Sequence, residues 1–305
     1  MLKYKQLESK IYSLNMGKEI ATIKFQENIN EDVPRQKILQ SFEQAGFKER
    51  VDEEIINRLV LIEQNSEFNE DARKIERGLT NVLVFLETNH AAHYPQLVFS
   101  EKQKSEGRIA AILHDIGKSG PADATKEEGR TIVRLFAQEQ IRDPNLSVEQ
   151  AVARSFDKSE IKNIIECLEH CGITSKMTIR QMWDRHAQWT HDILEKYPSG
   201  LNQHVRVIAG SHHIDRGINP YAISESEIPL ESNIIGTVEE YLDAISHRVL
   251  MAVDQYEALV RRKESTHDRA IALVRQNLSW FKQEDLTKLI CDVIDKLGRE
   301  KKLFV

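Results

Sequence analysis

The sequence predicts an all-α protein, and three observations carry that expectation. Glycine and proline number 13 and 7 in 305 residues, about 7% against an average near 12%, so few tight turns are needed. Apolar residues recur at steps of three and four along most of the chain. The one stretch that reads as a strand, Ile20 to Phe25, is too short to anchor a sheet by itself.

Taken in order, Gln36 to Phe47 places Ile38, Leu39, Phe42 and Ala45 on one helical face, and Glu54 to Ile62 repeats the spacing. The polar run Asn65 to Asp71 reads as a linker. A long helical pattern then extends from Asp71 to Val98, disturbed late by Pro95. Arg108 to Ile116 is a short apolar helix that stops at Gly117. From Ser119 to Lys176 the chain is charged, holds Pro121 and Pro144, and carries two or three amphipathic helices, among them Val148–Phe156 and Glu160–Leu168. Helical patterns resume at Met177–Lys196, Gln203–Ser211, Val238–Arg262 and Arg269–Leu297, with a loop from Asp215 to Asn233.

Composition excludes several classes. The net charge of −6 disfavours a broad surface for duplex nucleic acid, which would be basic. Three cysteines make no disulfide framework. Apolar runs such as Val82–Leu86 fall far short of the roughly 20 residues of a membrane span, and the first ten residues, MLKYKQLESK, lack the apolar segment of a signal peptide. The expectation is a soluble, cytoplasmic protein. One feature of the composition is positive: nine of the eleven histidines lie between His90 and His213.

Four segments combine histidine or aspartate with apolar surroundings. His114–Asp115 closes an apolar helix and should face the interior, where an ionised carboxylate is costly unless a cation or metal compensates it. His186 shares the buried face of its helix with Met182, Trp183, Trp189, Thr190 and Ile193. His212–His213 is a tandem pair after an apolar helix, and Asp254 sits in a strongly apolar helical stretch. Each has a plainer explanation when taken alone: an ordinary helix end, a hydrogen-bonded core histidine, a surface pair, and an ion pair of Asp254 with Arg261 or Arg262. Together they make a nitrogen and oxygen donor set without thiolate, which suits two Mn(II), Fe(II) or Zn(II) ions. Asp115 bridging such a pair would help generate hydroxide near neutral pH. Cys167, His170 and Cys171 read as packing rather than a further site.

In chain order the segments are LHDIGK (Leu113 to Lys118), Arg185–His186 followed by Leu194, SHH (Ser211 to His213), IPL (Ile228 to Leu230) and AVDQYEAL (Ala252 to Leu259). This order resembles the HD-domain metal-dependent phosphohydrolases, and within them the HD-GYP cyclic-dinucleotide phosphodiesterases. Their V-x-D-x-x-D-A-L motif has Glu257 here in place of its second aspartate. The resemblance covers about Glu87 to Ala272, apart from the insertion. It implies an HD-type helical bundle over residues 76–305, interrupted by a helical insertion at 120–178. A mostly helical region of unassigned role, residues 1–75, precedes it.

The resemblance also implies the site. His114, Asp115, His186, His212, His213 and Asp254 become ligands of two divalent ions, with Fe or Mn favoured and Zn an alternative. The family's upstream histidine maps to His90 or His93, and His90 is favoured because it continues the face of Leu83 and Leu86. Glu87 is a candidate ligand for a third ion. Asp115 and Lys118 are the catalytic residues, Lys118 acting on the substrate phosphate or the leaving oxygen. The implied activity is hydrolysis of a phosphodiester, a cyclic dinucleotide, by a metal-bound hydroxide. The alternatives are a phosphomonoesterase or nucleotide phosphohydrolase with the same metals, and a non-catalytic nucleotide-binding signalling module. A small phosphate ester is the expected partner, with a homodimer as a further option.

Two departures stand out. The segment IDRGINPY retains Gly217, Pro220 and Tyr221 but not the Gly-Tyr-Pro order. The separation of His114 and His186, 186 − 114 = 72 residues, exceeds the usual one. The intervening insertion therefore reads as a lid, a dimer surface or a substrate-selecting wall.

Overall fold

Side-chain caps set most of the helix starts. The computed structural model describes residues 32–47, 49–137, 143–198, 200–213, 245–261, 265–279 and 284–305. Within them α1 spans Asp32–Gln44, α2 Glu53–Glu63, α3 Asp71–His90 and α4 Glu101–Leu113. Next come α5 at Lys126–Phe136, α6 at Val148–Ser155, α7 at Ile161–His170 and α8 at Ile179–Lys196. The series closes with α9 (Gln203–Gly210), α10 (Ile245–Arg261), α11 (His267–Asn277) and α12 (Glu284–Arg299). No strand occurs among the described residues, so the all-α expectation is met.

Ser100, Thr125, Ser147 and Thr178 each cap the helix that follows, with a reciprocal glutamine or glutamate three residues on. The Ser100–Gln103 box starts α4 seven residues before the apolar pattern begins at Arg108. The long pattern from Asp71 ends at His90, and Pro95 opens a short 3-10 turn, Pro95–Leu97, where its missing N–H costs nothing. The pattern Arg269–Leu297 is two helices, α11 and α12, the first capped by Thr266. The candidate strand Ile20–Phe25, the segment Ile228–Leu230 and the loop with Gly217, Pro220 and Tyr221 lie outside the described residues.

Helices α3 and α4 form an antiparallel hairpin. Glu87 accepts from the Phe99 amide (3.2 Å) and pairs with Lys104 (2.9 Å) near the loop, while Glu76 pairs with Arg108 further along. Helix α10 crosses this hairpin, and α9 packs on α4 and α8. The core they enclose includes Leu79, Leu83, Leu86, Ile109, Leu113, Ile193, Ile208, Leu250 and Val253. No helix of the described residues is long and apolar enough to cross a membrane.

The boundary expected near residue 75 is not a boundary in the packing. Ile38 and Phe42 of α1 and Ile55, Ile56 and Leu59 of α2 belong to the same core as the hairpin, and the compact unit runs from Pro34 to Val305. Residues between 132 and 177 form a second apolar cluster together with α8. Ile132, Leu135, Val148, Val152, Ile164 and Leu168 meet Ile179, Met182 and Trp189, one face of α8. The helix that carries His186 thus has the insertion on its flank.

A buried arginine ties α2 to the chain after the His–Asp pair. Arg58, 3% exposed, pairs with Glu54 (2.8 Å) and donates to Ser119 Oγ and the carbonyls of Pro121, Ala122 and Ala124 at 3.0–3.3 Å. Arg58→Ala removes this donor from Ser119, Pro121 and Ala124, while the Ala122 carbonyl keeps Lys196 and Tyr197, and should cost about 3 kcal/mol, since hydrogen bonds to a charged group contribute 1.5–3 kcal/mol each. Urea denaturation of the two proteins measures the difference.

Candidate metal centre

His114 is the C-cap of α4, and Asp115 leads into a 3-10 turn, Ile116–Ser119. That turn lies directly on α8. A Cβ on Gly117 would stand 2.0 Å from the His186 carbonyl oxygen and 2.6 Å from the Thr190 nitrogen, so only glycine allows the approach. The Thr190 hydroxyl accepts from the Gly117 amide (3.0 Å) and donates to the His114 carbonyl (3.0 Å). Through Gly117 and Thr190 the His–Asp turn is fixed against the helix that presents His186.

Six of the residues singled out in the sequence converge here. His186, His212 and His213 form one group of candidate ligands, and His114, Asp115 and Asp254 another; within each group the ligand atoms lie within 4.8 Å of one another. Asp115 joins the two. Its Oδ2 is 3.2 Å from His114 Nε2, while its Oδ1 is 3.3 Å from His186 Nε2 and 3.8 Å from His212 Nε2. Asp254 faces His114 through Oδ1 (3.5 Å) and His213 through Oδ2 (3.7 Å).

The backbone sets the imidazole orientations. Nδ1 of His114, His186 and His212 lies 2.8, 2.5 and 2.7 Å from the carbonyls of Ala111, Trp183 and Ala209, each three residues earlier. A carbonyl only accepts, so Nδ1 carries the proton when the ring is neutral, and the Nε2 lone pair points inward. All three Nε2 atoms are buried without a hydrogen-bond partner. Buried lone pairs with no donor are costly, and a cation within each donor group would satisfy them. On this ground the residues present fit a bound metal ion.

Electrostatics agree with that fit. Burial works against a charged His114, but the Asp115 and Asp254 carboxylates outweigh it and hold its pKa at about 10. Burial also opposes ionised Asp115, which the Lys118 ammonium and the His114 imidazole nonetheless hold well below the usual carboxylate range. Asp254 is likewise held low, chiefly by His114 against its own burial. Burial and neighbouring imidazoles push His212 down, and push His213 down to about 4. The metal-free centre is therefore a protonated His114 between two carboxylates, beside neutral His212 and His213, and a bound metal would replace that proton.

His90 is not brought to the centre. It ends α3, whose first residue, Asp71, lines a small cavity of about 30 Å3 with Asp115 and Lys118. At 1.5 Å per residue, the 19 steps from Asp71 to His90 span about 28 Å. The antiparallel hairpin explains the reversal: the C-terminal end of α3 lies beside the start of α4, and the His–Asp pair is at the other end. His93 follows His90 into the same loop. Glu87 pins that loop through Phe99 and Lys104 and lies in neither ligand group.

Other expectations resolve by contact. Asp254 does not pair with Arg261; that side chain takes Glu257 (3.0 Å) and Asp71 (3.5 Å), and Arg262 lies outside the described residues. Lys118 pairs with Asp115 and lies 4.7 Å above the Phe68 ring. Cys167 and Cys171 are half-buried, and burial pushes the Cys171 thiol up to about 12, a poor metal ligand at neutral pH. His170 pairs with Glu128.

Three supporting residues were not singled out as functional from the sequence. Gly117 stood there only as a helix stop and Thr190 only as part of a buried face. His247 is the third; its Nε2 lies 3.0 Å from the Ser211 carbonyl and 3.2 Å from the Ser211 hydroxyl, just before the tandem pair.

Two outcomes are expected. Thr190→Val keeps the side-chain shape but strands two buried groups, costing about 1–3 kcal/mol of stability by denaturation and about tenfold in manganese affinity by titration. In chelator, His114 stabilises the fold below pH 6.5 and loses that effect as pH rises toward 10, because its folded pKa is raised. His213 stabilises above pH 6.5 and loses its effect as pH falls toward 4, because its folded pKa is depressed. Melting temperature should therefore peak near the unperturbed histidine value of about 6.5, and manganese should remove the alkaline decline. A melting curve flat from pH 6.5 to 10 in chelator would contradict the assigned charge state. Comparison with known proteins finds no matching family model, no matching curated protein and no matching solved structure.

Proposed function

We propose that this protein is a metal-dependent phosphohydrolase, a phosphodiesterase acting on a cyclic dinucleotide. The observation that carries the reading is the Asp115 carboxylate, whose two oxygens face two separate groups of buried donors. A carboxylate placed between two such groups would suit a pair of bound metal ions. Imidazole and carboxylate donors without thiolate suit Fe(II), Mn(II) or Zn(II). Divalent ions held there would supply Lewis acidity toward water and toward phosphate oxygens.

The chain's own residues divide the remaining work. His186, His212 and His213 would hold one ion, and His114 and Asp254 the other, with Asp115 shared. With only three protein donors, an ion held by His114, Asp254 and Asp115 would be able to take substrate as well. Two carboxylates against two divalent charges leave a net charge of about +2, which attracts a phosphate despite the negative total. Lys118 reaches Asp115 on a flexible stem beside the Phe68 ring, so the same ammonium can turn to a phosphate oxygen and offset the charge that develops there. The order of the motifs along the chain, HD pair, single histidine, tandem histidines and late aspartate, favours the phosphodiesterase among phosphohydrolases.

Protein purified without chelator should contain two or more Fe, Mn or Zn ions per chain by elemental analysis. His114→Ala with Asp115→Ala should abolish hydrolysis and leave the helical signal in circular dichroism largely intact. A panel of cyclic dinucleotides, cyclic mononucleotides, linear dinucleotides and nucleoside monophosphates, assayed with Mn(II) and reduced Fe(II), identifies the substrate. Turnover confined to monophosphates would overturn the phosphodiesterase assignment, and an absence of turnover in metal-loaded protein would overturn the enzyme reading.

A further inference from the structure

Beside the metal centre stands a second set of charges that hydrolysis at Asp115 does not use. Asp254, Glu257 and Arg261 follow one another on α10 at steps of three and four, so they share a face. Arg261 lies seven residues beyond Asp254, about 10 Å further along the helix axis. Its Nε donates to Glu257 (3.0 Å), and its terminal nitrogen is 3.5 Å from an Asp71 oxygen. Glu257 also takes the Lys74 ammonium at 2.6 Å.

The two carboxylates of this set are held very differently. Glu257 is buried between two cations, both within hydrogen-bond distance. Asp71 has only the 3.5 Å contact with Arg261 and accepts no hydrogen bond from the described residues. It is nevertheless largely buried, and that burial pushes its carboxyl up against the pull of Lys118 and Arg261. Asp71 lines one cavity with Asp115 and Lys118, so this loosely held anion adjoins the metal centre. A guanidinium fork favours two oxygens of one oxyanion over a single oxygen at 3.5 Å.

We infer that Arg261 is the docking position for a second phosphate of the substrate, and that Asp71 is the resident counter-ion which this phosphate displaces. The inference rests on the phosphohydrolase reading and narrows its substrate to molecules with two phosphates joined through a nucleoside. One phosphate sits at the metal ligands with Lys118. The other is held by Arg261 a short way along α10, with Glu257 and Lys74 keeping the guanidinium in place. Arg261 and Asp71 are binding and positioning residues, and neither touches the reacting phosphorus.

Calorimetric titration of the manganese-loaded full chain tests this, with a nucleoside 3′,5′-bisphosphate and the matching 5′-monophosphate as probes. The bisphosphate should bind about tenfold or more tighter, a difference of about 1.4 kcal/mol. Arg261→Gln should abolish that preference, so that the two nucleotides bind alike. Arg261→Lys, which keeps the charge and loses the fork, should retain only part of it and guards against misfolding as the cause. Asp71→Asn removes the competing anion and should tighten the bisphosphate about threefold or more, about 0.7 kcal/mol. Equal affinity of the two probes for the unaltered protein would overturn the inference, as would a preference that survives Arg261→Gln or a bisphosphate weakened by Asp71→Asn. In those cases monophosphate binding at the metals still stands. Failure of both probes to bind the manganese-loaded chain would overturn the phosphohydrolase reading as well.

Discussion

A carboxylate buried among imidazoles holds this structure to one arrangement. Asp115 sits where an ionised group has lost most of its water, and such a group persists only with compensating charge on every side. The compensation comes from different parts of the chain: charge from Lys118 in the following 3-10 turn and from His114 at the end of α4, and polar ring nitrogens from His186 on α8 and His212 after α9. Asp254 of α10 balances the far side of His114. Helices remote in sequence must therefore converge on one atom group, and the packing around them serves that convergence.

The supporting contacts make the convergence rigid. Each inward Nε2 is aimed by a backbone carbonyl one helical turn earlier, so ring orientation is inherited from the helix rather than from a second side chain. Gly117 and Thr190 remove the slack between the His–Asp turn and α8. Arg58 then locks the next few residues onto α2, which makes the first described helices part of the wall behind the site. The insertion contributes differently. It lays an apolar cluster on the flank of α8, and Phe136 at its edge stands 6.0 Å from the His186 ring.

Much of the centre was legible beforehand, for a simple physical reason. A histidine or aspartate in an apolar helical stretch carries a desolvation cost that short-range pattern exposes, and His114, Asp115, His186, His212, His213 and Asp254 all carry it. The same logic does not place His90. Its position on the face of Leu83 and Leu86 is right for burial, but periodicity says which side of a helix turns inward and nothing about which end approaches the site. Asp71 was overlooked for the complementary reason. At a polar helix start it resembles an ordinary first-turn acid, and only the hairpin register brings it beside Asp115 and Lys118.

By itself, then, the chain determined its helical class, most of its helix boundaries and the residue types able to bind metal, because these depend on neighbours three or four positions away. Tertiary structure decided the rest. It joined residues 34–75 to the main core, assigned the two oxygens of Asp115 to different ligand groups, gave Arg261 to Glu257 and Asp71 instead of Asp254, and removed His90 from the centre. Each of these depends on contacts between helices separated by tens to hundreds of residues. Their distances follow from how apolar faces pack and which charges must be compensated together, and no local pattern encodes either.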